Sequence, residues 1–285
     1  MPLLGCHMSI AGGYWKAVQA AAEIDCDCVQ LFTKNNNQWR AKTLTDKDAE
    51  LFKNKIQETG VSNPISHASY LINLASPKTE LRQKSVDAMV VEIERADKLG
   101  IPFVVFHPGS YTTSSEEEGL LRIVESLNEI HQRTDELATF PLLENTAGQG
   151  SNLGWKFDHL GEIIRNIDDG SRIGVCIDTC HAFAAGYAMS TIEDYEQTIE
   201  KMKRGFGIRK IKAFHLNDSK KPFGSRRDRH EHIGEGEMGV EPFRNLLNDK
   251  RFQNVPMYLE TEKGERDGLD YDVMNMDTLR SLVAD

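Results

Sequence analysis

Eight short apolar runs punctuate the chain, and between most of them the hydrophobic positions switch to a helical period. The runs are Leu3–His7, Cys28–Thr33, Ile65–His67, Phe103–His107, Pro141–Glu144, Gly174–Asp178, Ile211–His215 and Met257–Glu260. Rich in Val, Ile, Phe and Leu, they read as buried strands; the third is the shortest. Amphipathic stretches over Thr79–Leu99, Glu116–Leu137, Asp158–Ile167 and Ile192–Arg204 read as helices. In the second of these, Leu120, Ile123, Val124, Leu127 and Ile130 share one face, and Gly100–Ile101–Pro102 stops the first. Strands that alternate with helices imply a parallel sheet. Eight such units in 285 residues imply an α/β protein with a closed (β/α)8 barrel, a TIM barrel, as a single domain over 1–285. An open doubly wound sheet is disfavoured, because no glycine-rich nucleotide fingerprint follows any strand.

Composition changes this picture little. Hydrophobic residues make up 39% and charged residues 27%, and no Pro/Gly/Ser-rich linker or charge block divides the chain. No apolar run approaches the roughly 18 residues needed to cross a bilayer. The opening MPLLGCHMSIAGG lacks the basic and apolar regions of a signal peptide. Five cysteines are an odd, sparse count for a disulfide scaffold. The expectation is a cytoplasmic protein that enters no membrane. A net charge of −10 argues against nucleic-acid affinity unless cations gather locally. They do: Lys201 to His232 holds eleven Lys/Arg against Asp218, Asp228 and Glu231. Part of this is a solvated helix face. The part from Lys220 to Arg229 follows the seventh strand and is placed to meet phosphates.

The strand ends hold the chemical signal. Six of the eight runs finish on His67, His107, Glu144, Asp178, His215 and Glu260, spaced 34 to 45 residues apart, about one βα unit each time. In a parallel barrel the C-terminal strand ends open onto one face, so these six side chains converge. His181, three residues past Asp178, and Asp228 and His230 in the loop after the seventh strand add three more. Five imidazoles and four carboxylates suit zinc, manganese or iron. One four-coordinate zinc takes at most four protein ligands, so nine candidates imply two or three ions.

Singly, each residue has a plainer reading. A lone histidine at a strand end is ordinarily hydrogen-bonded structure, and an acid there is often the N-cap of the next helix. Six in succession are not explained that way. His7 ends the first run and reads as support for a ligand. His131 and His159 lie in helical stretches and read as solvated; His232 has no assigned role. Cys176 lies within an apolar strand and reads as core. Cys26 and Cys28 form a C-x-C, which lacks the spacing of a structural zinc site. No serine or cysteine has the surroundings of a nucleophile.

These residues sit in eight ordered strings: LFTKN-x-x-QWR, HASYLINL, FHPGS, ENTAGQGSNLG, CIDTCHAFAAGY, HLNDSK, GSRRDRHEHIGEG and LET. Across its whole length the chain resembles the endonuclease IV family of apurinic/apyrimidinic endonucleases. The resemblance implies a trinuclear zinc centre, with manganese also suited to some sites. It places His67, His107 and Glu144 on one zinc and Glu144, Asp178, His215 and Glu260 on a second. His181, Asp228 and His230 hold the third. The activity it implies is cleavage of the phosphodiester 5′ to an abasic site in duplex DNA, leaving a 3′-hydroxyl and a 5′-deoxyribose phosphate, with trimming of blocked 3′ ends. Glu260 and Glu144 are the expected catalytic residues. A hydroxide bridging two zincs would attack phosphorus, oriented by Glu260, while the third zinc stabilises the leaving O3′. Recognition exploits the low cost of extruding a sugar that has no base to unstack. Loops 34–40 and 68–73 are expected to enter the minor groove, with Tyr70 as wedge. Gln38, Gln149 and Arg229 are expected on the DNA. Asn37 stands where well-known members carry Arg, which removes a cationic, stacking plug. No obligate protein partner is evident, and a monomer is expected.

Two rivals remain at this stage. A metal-dependent sugar isomerase or epimerase uses the same barrel with one or two ions; it has no need of His181, Asp228 and His230. A DNA-binding module with structural zinc would favour closed, cysteine-rich sites over a carboxylate-rich mouth.

Overall fold

In the computed structural model, which describes residues 1–284, the eight runs become the eight strands of a closed parallel barrel. They are β1 (Leu4–Met8), β2 (Cys28–Phe32), β3 (Ser62–His67), β4 (Phe103–Phe106), β5 (Phe140–Glu144), β6 (Gly174–Asp178) and β7 (Ile211–Leu216). The short strands β8 (Asp218–Ser219) and β9 (His230–Glu231) form a ribbon outside the barrel, and β10 (Met257–Leu259) closes it between β7 and β1. A hairpin of β11 (Glu265–Arg266) and β12 (Leu269–Asp270) follows. The helices are α1 (Tyr14–Glu23), α2 (Asp46–Thr59), α3 (Thr79–Leu99), α4 (Glu116–Arg133), α5 (Phe157–Asn166), α6 (Thr179–Ala185), α7 (Ile192–Gly205), α8 (Glu241–Leu247) and α9 (Tyr271–Ser281). Among the described residues, no helix is long and apolar enough to cross a membrane.

The expected α3 is matched at both ends, and other bounds shift for physical reasons. The stretch predicted to run to Leu137 stops at Arg133, because the Thr134 hydroxyl folds back onto the Ile130 carbonyl and Arg172 holds the Thr134 and Leu137 carbonyls beyond it. β3 starts earlier than its apolar run: Ser62, Asn63 and Pro64 do not look like strand, and the register against β2 slips there by a bulge, with Asn63 at φ 44°. His131 and His159 are buried, not solvated. His159 accepts the Gly154 N–H and faces Glu116 at 3.1 Å, so it ties the loop after β5 to α4.

Two layers of side chain fill the barrel and fix the site. Cys28, Ile65, Val105, Leu142, Cys176, Ala213 and Tyr258 point inward and pack on one another. Successive strand residues face opposite sides, so the residue two positions on points inward again, one layer nearer the C-terminal mouth. Those residues are Gln30, His67, His107, Glu144, Asp178, His215 and Glu260. Below lies an apolar plug; above it lies a polar ring. The outer face of the strands packs on the helices, closely enough that α5 and α7 meet through glycines. A Cβ on Gly161 would lie 1.9 Å from the Gly205 carbonyl oxygen.

Candidate metal centre

The nine expected ligands come together at the mouth. His67, His107 and Glu144 form one group with ligand atoms within 4.8 Å of one another, and Glu144, Asp178, His215 and Glu260 form a second. These are the two sets that the family resemblance implies, with Glu144 in both. The Nε2 atoms of His67 and His107 each lie 3.1 Å from Glu144 Oε2. His215 Nδ1 lies 2.9 Å from Glu144 Oε1 and 3.2 Å from Glu260 Oε2. Asp228 spans the remaining histidines, 3.1 Å from His181 Nε2 and 3.2 Å from His230 Nε2. Asp178 and Cys180 also border this third group.

Local structure aims each donor. His67, His181 and His230 turn Nδ1 toward the carbonyls of Ala68, Asn145 and Glu260, which frees Nε2 for the centre. His215 is reversed: its Nε2 donates to Gln30 Oε1 at 2.8 Å, and Nδ1 faces the carboxylates. Asp178 does cap a helix, accepting the His181 N–H with Oδ1 at 2.7 Å, while Asn217 donates to Oδ2. That cap places His181 on the first turn of α6, a helix the sequence did not reveal. Asp218, the fully buried first residue of β8, accepts the N–H groups of Ser219, Gly234, Gly236 and Met238 and so shapes the loop beyond His230.

The donor set fits ions. Ligands about 2.1 Å from a tetrahedral ion lie about 3.4 Å from one another, and the imidazole–carboxylate separations here bracket that value. The Nε2 atoms of His181 and His230 are buried with no hydrogen-bond partner, although carboxylates face them. A cation between such atoms removes the cost of leaving them unsatisfied.

The charges within the ring shift one another's protonation. Burial pushes the Glu144 carboxyl up, but the charges of His215 and His107 outweigh it and hold the group well below the carboxylate range. Glu260 is likewise lowered, against its burial, chiefly by the charge of His215. Burial alone would strip His230 of its proton; Asp178 and Asp228 lift it to about 9. His181 and His215 are also raised, against burial, the first by Asp178 and Asp228, the second by Cys176 and then by Glu260 and Glu144. A histidine raised in this way stabilises the ion-free fold below its unfolded value near 6.5, and that contribution is lost as pH climbs through about 9. An incoming cation must displace these protons. Zinc added to the ion-free protein at pH 7 should therefore release protons, and its apparent affinity should rise with pH up to about 9. Calorimetry in two buffers of different ionisation enthalpy reads the release directly; an uptake independent of buffer contradicts it.

The expected DNA-contacting residues ring the same mouth. Tyr70, 55% exposed, stands over the centre with its ring 5.1 Å from His67 and 5.8 Å from His107. Asn37 and Gln38 are exposed on the loop after β2. Gln149 is exposed after β5 and its Oε1 faces the Asp228 N–H at 3.4 Å; Arg229 is exposed beside Asp228. His7 supports Glu260 as expected, 3.7 Å away, with Gln30 donating to its Nδ1. His232 turns from the centre and packs on Tyr271. Sequence reasoning missed Gln30, which is fully buried and joins His7, His215 and Glu260 in one network. A glutamine in an apolar strand, two positions past an inward Cys28, was the available signal.

A parallel barrel with grouped histidines and acids at its mouth is a scaffold able to hold metal ions. Residues 18–280 match the family model described as xylose isomerase-like TIM barrel. The chain is 48% identical over 283 residues to a protein of Citrifermentans bemidjiense named probable endonuclease 4, covering 99% of each. A protein of Chloroflexus aurantiacus with the same name is 46% identical over 283 residues, 99% of each. The crystal structure of endonuclease IV from Thermus thermophilus superposes with a TM-score of 0.85 at 33% identity, covering 99% of this chain and 98% of that one. The chain belongs to the endonuclease IV family. A D-tagatose 3-epimerase-like protein shares the barrel at 23% identity and TM-score 0.74, a likeness of fold alone.

Proposed function

We propose that this protein is a DNA-repair endonuclease of the cytoplasm that hydrolyses the phosphodiester 5′ to abasic sites in duplex DNA, leaving a 3′-hydroxyl and a 5′-deoxyribose phosphate, and that it trims blocked 3′ ends. The observation that carries this reading is the third ligand group. His181, Asp228 and His230 lie beside the two sets that share Glu144, an arrangement in excess of what a one- or two-ion sugar isomerase needs.

The residues present would hold three zinc ions in the grouping given above. When bound, such ions acidify water, neutralise phosphate oxygens and stabilise a departing alkoxide. The chain's own groups do the rest. Glu260, 11% exposed at its side chain, is the carboxylate of the second group that reaches the open mouth, and Gln30 and His7 fix its direction. It orients the attacking water toward phosphorus. Glu144, fully buried, keeps the first two ligand groups at one spacing. Three dications against four ligand carboxylates leave the mouth positive, which reconciles an acidic protein with a polyanionic substrate. Tyr70 fills the gap left by the missing base; Gln38, Gln149 and Arg229 contact the flanking strands. Asn37 supplies a hydrogen-bonding but uncharged tip in the same place.

The test is a duplex with one abasic analogue, incubated with the purified protein before and after prolonged chelation. A nick on the 5′ side, lost on chelation and restored by Zn²⁺ or Mn²⁺, is expected. Cleavage that persists in fully stripped protein, or an unmodified duplex cut equally well, contradicts the proposal.

A further inference from the structure

Two charges lie buried beside the mouth and neither belongs to the ligand set. Lys34 Nζ and Glu92 Oε1 pair at 3.2 Å, with their side chains 2% and 1% exposed. Glu92 projects from the buried face of α3, and Lys34 opens the loop after β2. The same carboxylate accepts the Ser69 N–H at 3.1 Å and the Thr33 hydroxyl at 2.7 Å. Lys34 Nζ donates onward to the Gln38 carbonyl at 3.0 Å, and the Ser69 hydroxyl donates to the Asn36 carbonyl. Three residues further along α3, Arg95 donates to the carbonyls of Thr33 and Lys42 and to the Tyr14 hydroxyl.

The bonds of Glu92 and Lys34 therefore end on two loops only. One spans 33–42 and carries Asn37 and Gln38; the other spans 68–73 and carries Tyr70. A buried ion pair is a poor stabiliser, because desolvation consumes most of what the charges return, and apolar side chains of similar volume often serve as well or better. What such a pair supplies is direction. Its lone pairs and protons fix neighbouring backbone at set distances. Surface loops are otherwise the mobile parts of a fold, and a side chain driven into a base stack works against a cost of a few kilocalories per mole, so it needs a stiff backing.

We propose that Glu92, acting with Lys34, is a positioning residue for substrate recognition: it locks the loop bearing Gln38 and the loop bearing Tyr70 at one spacing, so that both enter the DNA as a unit. This rests on the DNA-cleaving reading above. Wild-type protein that leaves an abasic duplex intact would defeat that reading by itself, before any variant is compared.

Where the wild type does cut, the comparison uses Glu92→Gln and the double substitution Lys34→Met with Glu92→Leu, the latter leaving no unpaired charge. KM and kcat are measured on the abasic duplex, with a 2-aminopurine beside the lesion to report opening of the stack. Hydrolysis of bis(p-nitrophenyl) phosphate and zinc content report the centre without the loops. KM is expected to rise by about tenfold or more, with kcat changed less than about threefold. The fluorescence rise on binding should weaken, and small-ester hydrolysis and zinc content should match the wild type. An unchanged KM overturns the proposal. So does a loss of small-ester hydrolysis equal to the loss on DNA, which would place the effect in the centre or the fold. Thr33→Val keeps both charges and removes only the hydroxyl's bond to Glu92 Oε2. It should raise KM in the same direction by less, and a KM unchanged there overturns the proposal even if the charge variants fail to fold.

Discussion

Replacing Glu144 by glutamine should empty two of the three proposed metal sites and reduce abasic-site cleavage by at least about 10⁴-fold, since each 1.36 kcal/mol of lost stabilisation is a factor of ten and metal clamping supplies several. The reason lies in where Glu144 stands. It ends β5, fully buried, with Oε2 facing His67 and His107 and Oε1 facing His215. Among the described residues it is the one member common to these two groups. An amide offers one oxygen and presents N–H donors to imidazole nitrogens that need a negative partner or an ion. The substitution also leaves several buried histidines without their principal counter-charge, and such groups neutralise or destabilise the fold. Elemental analysis of desalted protein should give near one zinc per chain in place of three, with a lowered thermal midpoint. By contrast, His230→Asn touches only the third group and should cost one ion. Three ions and full activity in Glu144→Gln would break the shared-ligand account.

Much of this centre was legible because two independent regularities coincide in it. The apolar runs marked the strands, and their last residues marked the side chains that meet at the mouth, so convergence followed from the parallel barrel alone. The parity of the strands made the reading sharper than it first looks: Ile65, Val105, Leu142, Cys176, Ala213 and Tyr258 lie in the apolar layer, and the mouth-facing histidine or acid is in every case two residues on. The same parity pointed to Gln30. It was missed because a single polar residue in a strand reads as facing outward until the register with its neighbours is known. Position 30 pairs with His7 on one side and Ile65 on the other, which fixes it inside. The Lys34–Glu92 pair was invisible for a different reason. Its two members are 58 residues apart on a loop and a helix, and an acid on a long amphipathic helix is ordinarily solvated. Burial of His131 and His159 escaped for the same reason, since helical periodicity does not say how much of a flank its neighbours cover. The ribbon of β8 and β9 carries two residues a strand, too few for any period to show.

Glu260→Gln should separate binding from chemistry. The side chain sits one residue past β10, where its own N–H leaves the sheet to reach Asn217 Oδ1 at 3.0 Å. Gln30 and His7 hold one carboxylate oxygen from behind and His215 faces the other. Unlike Glu144 it belongs to one ligand group only, so Asp178, His215 and Glu144 remain to retain that ion. Glutamine has the same size, and turning its carbonyl oxygen toward the Gln30 amide N–H preserves one hydrogen bond. What it lacks is the charge proposed to orient the attacking water, a contribution set on the scale of roughly 10² to 10⁴-fold that a positioned proton-handling group supplies. The expected variant carries close to the wild-type zinc content, binds the abasic duplex with similar affinity in a gel-shift assay, and cuts it about 10³-fold more slowly. Because the loops bearing Tyr70 and Gln38 are untouched, its 2-aminopurine response on binding should equal that of the wild type. A variant with normal turnover would remove Glu260 from the reaction. One that loses its zinc together with its activity would make Glu260 a ligand first, and would shift the orienting role to another side chain of the ring.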